Sequence, residues 1–281
     1  MKKTVTRCIA LNITLLFLCA CNWNKAKTAG DTLSFDTIRI DEIQPQSKYT
    51  RPDVKVSCHL DITFIYPNSY GDADKLRNLQ SVFIERVFPL KYVGLPPQQA
   101  VDSFKTQYFK DFQCEKFADE DYGNLEDESD FLYYMDLKNE ITYNGNGLVS
   151  FLVQNETFEG GAHGAHGVFG YVIDLNTGEY ITEDAFAEVN YKKNVAEIIV
   201  RKIADANNVS DPAQLENIGY NSIDDIVPNG NFTIDEQGIT YYFNEYEIAA
   251  YFIGTTKVFI PYKELEIFIA DDSPIAALAK L

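Results

Sequence analysis

The sequence predicts an α+β protein built as two packed units of mainly antiparallel sheet with covering helices. Three observations lead there. Residues 53–66 alternate strictly, with Val54, Val56, Cys58, Leu60, Ile62 and Phe64 on one parity and Lys55, Ser57, His59, Asp61 and Thr63 on the other, the pattern of a half-buried strand. Two stretches then place apolar residues three and four apart, the spacing of helices that lay one stripe on a sheet. Further along, strand clusters alternate with helical segments without regular βαβ units, which argues for antiparallel sheets covered on one face.

Pro67-Asn68 is expected to end the first strand. The first helix follows with Leu76, Leu79, Val82, Phe83 and Val87 inward and Lys75, Arg77 and Arg86 on a basic face. Pro96-Pro97 suits the start of a second, carrying Ala100, Val101, Phe104, Tyr108 and Phe112. Residues 115–130 hold eight acids and one lysine, a density that stays solvated in a loop; its glycine and acids do not have the spacing of an EF-hand calcium site. Strands are expected at 131–143 and 148–158 around a turn at Asn144-Gly145. Another runs over 168–175 into the turn Asn176-Thr177-Gly178. A long helix over 189–206 buries Val195, Ile198, Ile199 and Ile203, and a short one is expected near 213–217. A hairpin between Phe232 and Phe243 turns through Asp235, Gln237 and Gly238, and the last strand covers 257–261. The expected organisation is a lipoprotein signal at 1–20, a polar tether at 21–34, an N-terminal α+β domain at 35–145, a C-terminal domain at 146–270 and a tail at 271–281.

The amino terminus sets the expected compartment. Lys2, Lys3 and Arg7 form a basic start, Leu15-Leu16-Phe17-Leu18 ends an apolar run, and Leu18-Cys19-Ala20-Cys21 reads as a lipobox, with Cys21 as the acylated residue. The apolar run falls short of the ~20 residues that span a bilayer. The chain is thus expected in the cell envelope, held to a membrane by its lipid, at the periplasmic side of an outer membrane rather than on the cell surface. The net charge of -18 becomes -21 once the three basic residues of the signal are removed. Such a field excludes nucleic acid and anionic lipid head groups as partners and raises encounter rates with cationic ones; solubility alone is the simpler use for it. Beyond the signal and Cys21, the cysteines are Cys58 and Cys114, which an oxidising compartment would let pair and which serve equally well as two buried thiols.

Residues 159–167, Glu-Gly-Gly-Ala-His-Gly-Ala-His-Gly, concentrate unusual chemistry and contain two of the three histidines. Glu159, His163 and His166 are candidate binding or metal-ligating residues, since imidazole and carboxylate suit zinc. Four glycines forbid a helix here, and the preferred reading is a turn or bulge in which each histidine caps backbone groups or packs on a sheet. Cys58 and His59 are adjacent in a strand and so point to opposite faces, which prevents a thiol–imidazole pair. The sequence has no nucleophile elbow, dinucleotide-binding glycine pattern or P-loop. Carboxylates are plentiful, but their spacing selects no pair for glycoside cleavage. No catalytic residue and no cofactor are assigned. The run Tyr241, Tyr242, Phe243, Tyr246, Tyr251, Phe252, Phe259 and Tyr262 is read mainly as sheet core, with a surface binding cluster as the alternative.

Glu159-Gly160-Gly161-Ala162-His163-Gly164, Ile173-Asp174-Leu175-Asn176-Thr177-Gly178, Glu183-Asp184-Ala185-Phe186, the run from Ile239 to Ala249 and Val258 to Leu265 together resemble the RsiV-like domain. That domain is the extracytoplasmic part of lysozyme-sensing anti-sigma factors, and it also accompanies a peptidoglycan deacetylase and many bacterial lipoproteins of unknown function. The stretch from about Phe35 to Asp136 resembles the partner domain that usually precedes it. The resemblance implies a C-terminal unit like a lobe of the heat-shock-cognate ATPase fold, without ATPase activity. Ala250 stands where the family often has proline, and the second Gly-Ala-His is extra. No sigma-binding segment is recognised, so signalling as in the anti-sigma factors is not expected. The function expected is non-enzymatic binding in the envelope, of a cationic lysozyme-like protein or a cell-wall ligand such as peptidoglycan. The alternative is a metal-assisted peptidoglycan hydrolase or deacetylase using His163, His166 and Glu159; a third reading is a structural partner in an outer-membrane complex.

Overall fold

A computed structural model describes residues 33–46, 56–114, 131–160 and 163–280, with the side chains of Cys114 and Phe131 outside the described set. The signal, Cys21, most of the tether, the acidic run 115–130 and Gly161-Ala162 therefore lie outside the described residues. The fold is mixed α+β: a five-stranded sheet, a three-stranded sheet and several helices. No helix among the described residues is long and apolar enough to cross a membrane.

The large sheet takes its strands in sequence order: β1 (Ser34–Pro45), β2 (Val56–Ser69), β3 (Phe131–Gly145), β4 (Leu148–Phe158) and β5 (Ala165–Asp174). Only β2 and β3 are parallel, because the chain between them makes the long crossover that parallel neighbours require. That crossover contains helices α1 (Ala73–Val87) and α2 (Pro97–Cys114). Asp72 starts α1 by accepting from the Asp74 and Lys75 amides, which satisfies donors that a helix start leaves open. Leu79, Phe83, Ile84 and Val87 of α1 and Val101, Phe104 and Phe112 of α2 pack on Cys58, Leu60, Ile62 and Phe64 of β2, the inward parity expected. Arg86, expected on a solvated face, lies over the rings of Tyr171 and Tyr180 and donates to the Tyr180 hydroxyl at 2.6 Å, tying α1 to the far end of the sheet.

The second sheet is β6 (Phe232–Ile234), β7 (Gly238–Phe243) and β8 (Thr256–Pro261), all antiparallel. With helix α3 (Tyr191–Ala206) it builds a second core that takes in Leu148 and Val172 from the large sheet. Strand β4 is consequently buried on both faces: Val149, Phe151 and Val153 face the first core, while Leu148 and Leu152 face the small sheet's side. The two sheets thus pack as two α+β units that share β4. The large sheet runs through the boundary expected at 145/146, which falls in a hairpin. The segment expected as a tail also docks, with Ile275 and Leu278 in the second core.

Smaller differences have local causes. The hairpin turns at Asn146 (φ 50°) and Gly147 (φ 77°), not at Asn144-Gly145. The chain repeats Asn-Gly twice, and moving a turn by two residues leaves every side chain on its original face, so alternation cannot choose between them. Strand β2 continues through Pro67, which pairs with Phe35. The β3 partnership has already ended at Thr63–Lys138, so the missing proline N–H removes no ladder bond on that side. The edge strand β1, rich in charged residues, was not singled out from sequence.

Where strands lose a neighbour, asparagine side chains stand in for one. Asn139, 3% exposed, accepts from the Ile65 amide at 2.7 Å and donates to the Ile65 carbonyl at 2.8 Å. Along the outer edge of β5, Asn231 accepts from the Gly170 amide at 2.7 Å and donates to the Val168 carbonyl at 2.8 Å. The small sheet approaches so closely there that a side chain at Gly170 would overlap the Phe232 carbonyl.

One buried acid lies in the second core. Glu183, 4% exposed, accepts from the Gly230 amide at 3.2 Å and sits 3.8 Å from Lys192, beside the Tyr191 and Tyr241 hydroxyls, which are 2.8 Å apart. Burial pushes its carboxyl above the ordinary value near 4.5, against the weaker pull of the Gly230 amide and Lys192. A raised folded-state value means that stability is fully present below the unfolded value and is lost as pH rises through the folded one. Glu183→Gln keeps the acceptor and removes the charge, so its melting temperature should exceed wild type at neutral pH and converge with it at acid pH. Thermal unfolding across pH reads this out; parallel curves would show that the charge carries no such cost.

Candidate functional site

A row of carboxylates crosses the sheet on the face away from α1 and α2. Asp41 of β1 is directly opposite Asp61 of β2, Asp61 opposite Asp136 of β3, and Asp136 opposite Glu156 of β4; the row ends at His166 of β5. Like charges in directly opposed positions destabilise a sheet. A lysine and two imidazoles lie against them. Lys138 lies 2.6 Å from Asp136 and 3.3 Å from Asp61, His59 is 2.8 Å from Asp41, and His166 is 3.4 Å from Glu156. Tyr134 donates to Glu156 at 2.7 Å, and that bond to an anion, followed by burial, pushes its hydroxyl up to about 12.

At its β5 end the row meets the turn after β7, in which each of four consecutive residues has a separate task. Asn244 accepts from the Val168 amide at 2.8 Å and donates to the Val168 carbonyl at 3.0 Å, completing the seal along β5. Glu245 lies 2.8 Å from Nδ1 of His166, so both ring nitrogens of that histidine face carboxylates. Glu247 folds back to accept from the Asn244 amide at 2.9 Å and from Asn229 at 2.6 Å. Held between them, Tyr246 is forced to φ 64° and is 65% exposed. An aromatic residue in the left-handed region costs about 1–3 kcal/mol and persists only where its surroundings over-determine it.

Tyr251 follows, its ring 5.7 Å from Tyr246 and 4.1 Å from His163, its hydroxyl donating to the Gly164 carbonyl at 3.0 Å. Phe252 beside it is 74% exposed. The C-terminal aromatic run therefore divides: Tyr241, Tyr242, Phe243 and Tyr262 are core, whereas Tyr246 and Phe252 are surface. A cleft of about 500 Å³ runs beside the row, lined among others by Asp136, Lys138, Glu156, His166, Glu245 and Lys257.

The sequence-derived site is split by this geometry. His166 is on β5, between Glu156 and Glu245. His163 sits in the loop before it, its Nδ1 2.9 Å from the Gly164 carbonyl. Glu159 lines a different cleft with Cys58 and Tyr108. Glu159 therefore does not join His163 and His166, whose rings both lie near Tyr251, at 4.1 and 6.5 Å, because β4 ends at Phe158 and the glutamate faces the other cleft. Gly160, at φ 93°, supplies the positive-φ turn. Among the described residues no three His, Cys, Asp or Glu side chains are grouped to hold a metal ion. Cys58 is a buried thiol donating to the Tyr108 hydroxyl at 3.2 Å, and burial pushes it up; the side chain of Cys114 lies outside the described residues. As expected, His59 points to the other face of β2, toward Asp41. Sequence reasoning missed the carboxylate row and the tasks of residues 244–247. Alternation places Asp61 on the polar parity, but which acids oppose it depends on register.

If Asn244 seals the β5 edge, Asn244→Ala should cost about 1–3 kcal/mol by leaving the Val168 amide unpaired. Urea unfolding measures this, and a loss within error of zero would contradict the assignment.

Residues 182–263 match the family described as Protein of unknown function (DUF3298). Tyr246, its flanking turn and Tyr251 lie inside that match; the carboxylate row precedes it. No curated protein matches the chain. Among solved structures, the chain is similar to a DUF3298 family member from Bacteroides fragilis, with 28% identity and a TM-score of 0.78 over 89% of this chain and 98% of that one. A DUF3298 family protein from Pseudomonas aeruginosa shares the fold at 14% identity, with a TM-score of 0.56 over 86% of this chain and 96% of that one. The chain thus carries a DUF3298 match in its C-terminal part and has, over most of its length, the fold of two solved proteins of that family.

Proposed function

We propose that this is a non-enzymatic envelope protein, anchored by a lipid on Cys21, that binds a cationic protein through the carboxylate row and the Tyr246–Tyr251 surface. The observation that carries the proposal is Tyr246, an aromatic ring held exposed at a backbone cost, at the end of four opposed acids. Rings of this kind attract lysine and arginine by cation–π contact, and aligned carboxylates steer such partners at low salt. The net charge of -18 supports the same sign of partner. The resemblance to the RsiV-like domain makes a lysozyme-like protein the first candidate. The hydrolase alternative gains no support from the positions of Glu159, His163 and His166.

Titration against lysozyme by calorimetry is expected to show binding at low salt that weakens steeply at high salt. Tyr246→Gly relieves the backbone, so it should abolish binding while leaving the melting temperature unchanged or higher. Absence of binding at low salt removes this partner, and loss of binding only in variants that also unfold would reduce Tyr246 to a structural residue. For the anchor, palmitate labelling of the expressed chain should be lost in Cys21→Ser; labelling that persists would place any lipid elsewhere.

A further inference from the structure

The cleft that holds Glu159 has a chemistry of its own. It measures about 310 Å³ and lies between the C-terminal end of α2 and strands β2 and β3, lined by Cys58, Tyr108, Asp111, Phe112, Tyr133, Met135 and Glu159. Cys58, 1% exposed, forms its floor. Tyr108, Phe112 and Tyr133 supply aromatic walls, the latter two rings 6.0 Å apart. Asp111 and Glu159 are exposed, and the ion pairs among the described residues include neither of them. Asp111 accepts from the uncharged Gln107 side-chain amide, at 2.7 Å. Glu159 is near enough that its charge adds to burial in pushing up both Cys58 and Tyr108.

Aromatic walls and two carboxylates with no cationic partner among the described residues favour a positive guest, and the apolar floor favours one with a short alkyl stem. We infer that this cleft binds a primary alkylammonium group, such as the end of a lysine side chain. The site is separate from the Tyr246 surface and does not rest on the function proposed for it.

Met135 lines the cleft and is, apart from Met1, the sole methionine of the chain, so its labelled methyl group is a local probe. The full chain with 13C-methyl methionine would be titrated through the millimolar range with n-butylammonium chloride, with Nα-acetyl-lysine methylamide, and with n-butanol as the uncharged control. Saturable movement of the Met135 signal with both amines and not with the alcohol is expected. Movement with n-butylammonium alone would identify a site for free amines that excludes a lysine attached to a peptide. Asp111→Asn and Glu159→Gln, both at exposed positions, should each weaken binding about two- to fivefold. No saturable shift, an equal response to n-butanol, or undiminished binding in both variants would overturn the inference.

Discussion

The outer edge of β5 is where the two sheets become one body, and the interaction that joins them is made by two asparagine side chains. Asn231 and Asn244 bind the outward amides and carbonyl of Gly170 and Val168 as a neighbouring strand would. A carboxamide sets an N–H donor beside a carbonyl acceptor, as an edge strand presents them, so it can end a ladder without continuing it. This closes an edge that would otherwise be open to pairing with another chain. It also brings the small sheet down on β4 and β5, burying β4 on both faces. Asn139 performs the same service for β2 at Ile65. Three asparagines thus end strand pairings that the backbone does not complete.

The same seal fixes the surface chemistry. Because Asn244 is committed to Val168, the next residue meets His166 and the one after is driven into the left-handed region. Tyr246 is displayed by the backbone clamp around it, with the neighbouring Tyr251 ring against it. The carboxylate row has the complementary origin. Sheet register places Asp41, Asp61, Asp136 and Glu156 in one line, where packing gains nothing from their charge. A strained aromatic and an unfavourable line of acids side by side are features that folding alone would not select.

Much of the architecture was readable from residues in order. The parity of β2, the stripes of α1, α2 and α3 and the β6–β7 hairpin all follow from periodicities of two and 3.6, which are properties of a single segment. What the sequence leaves open involves ambiguity or distance. The tandem Asn-Gly pairs offer two turns of equal parity, and Ile275 and Leu278 lie in too short a segment to show a period. Arg86 looks like any surface cation until Tyr171 and Tyr180 arrive from another part of the chain.

The histidine-rich loop shows the division most clearly. Residue types alone placed Glu159, His163 and His166 close in sequence and ruled out a helix, and both statements hold. The placing of His163 against the Tyr251 ring, of His166 between two carboxylates and of Glu159 at a separate aromatic cleft was settled by where β4 ends and what packs beside it. Local composition fixes backbone conformation because those forces act within a few residues. The meeting of charges and rings across strands was decided by register and by the docking of one sheet on another, which depend on contacts far apart in the chain.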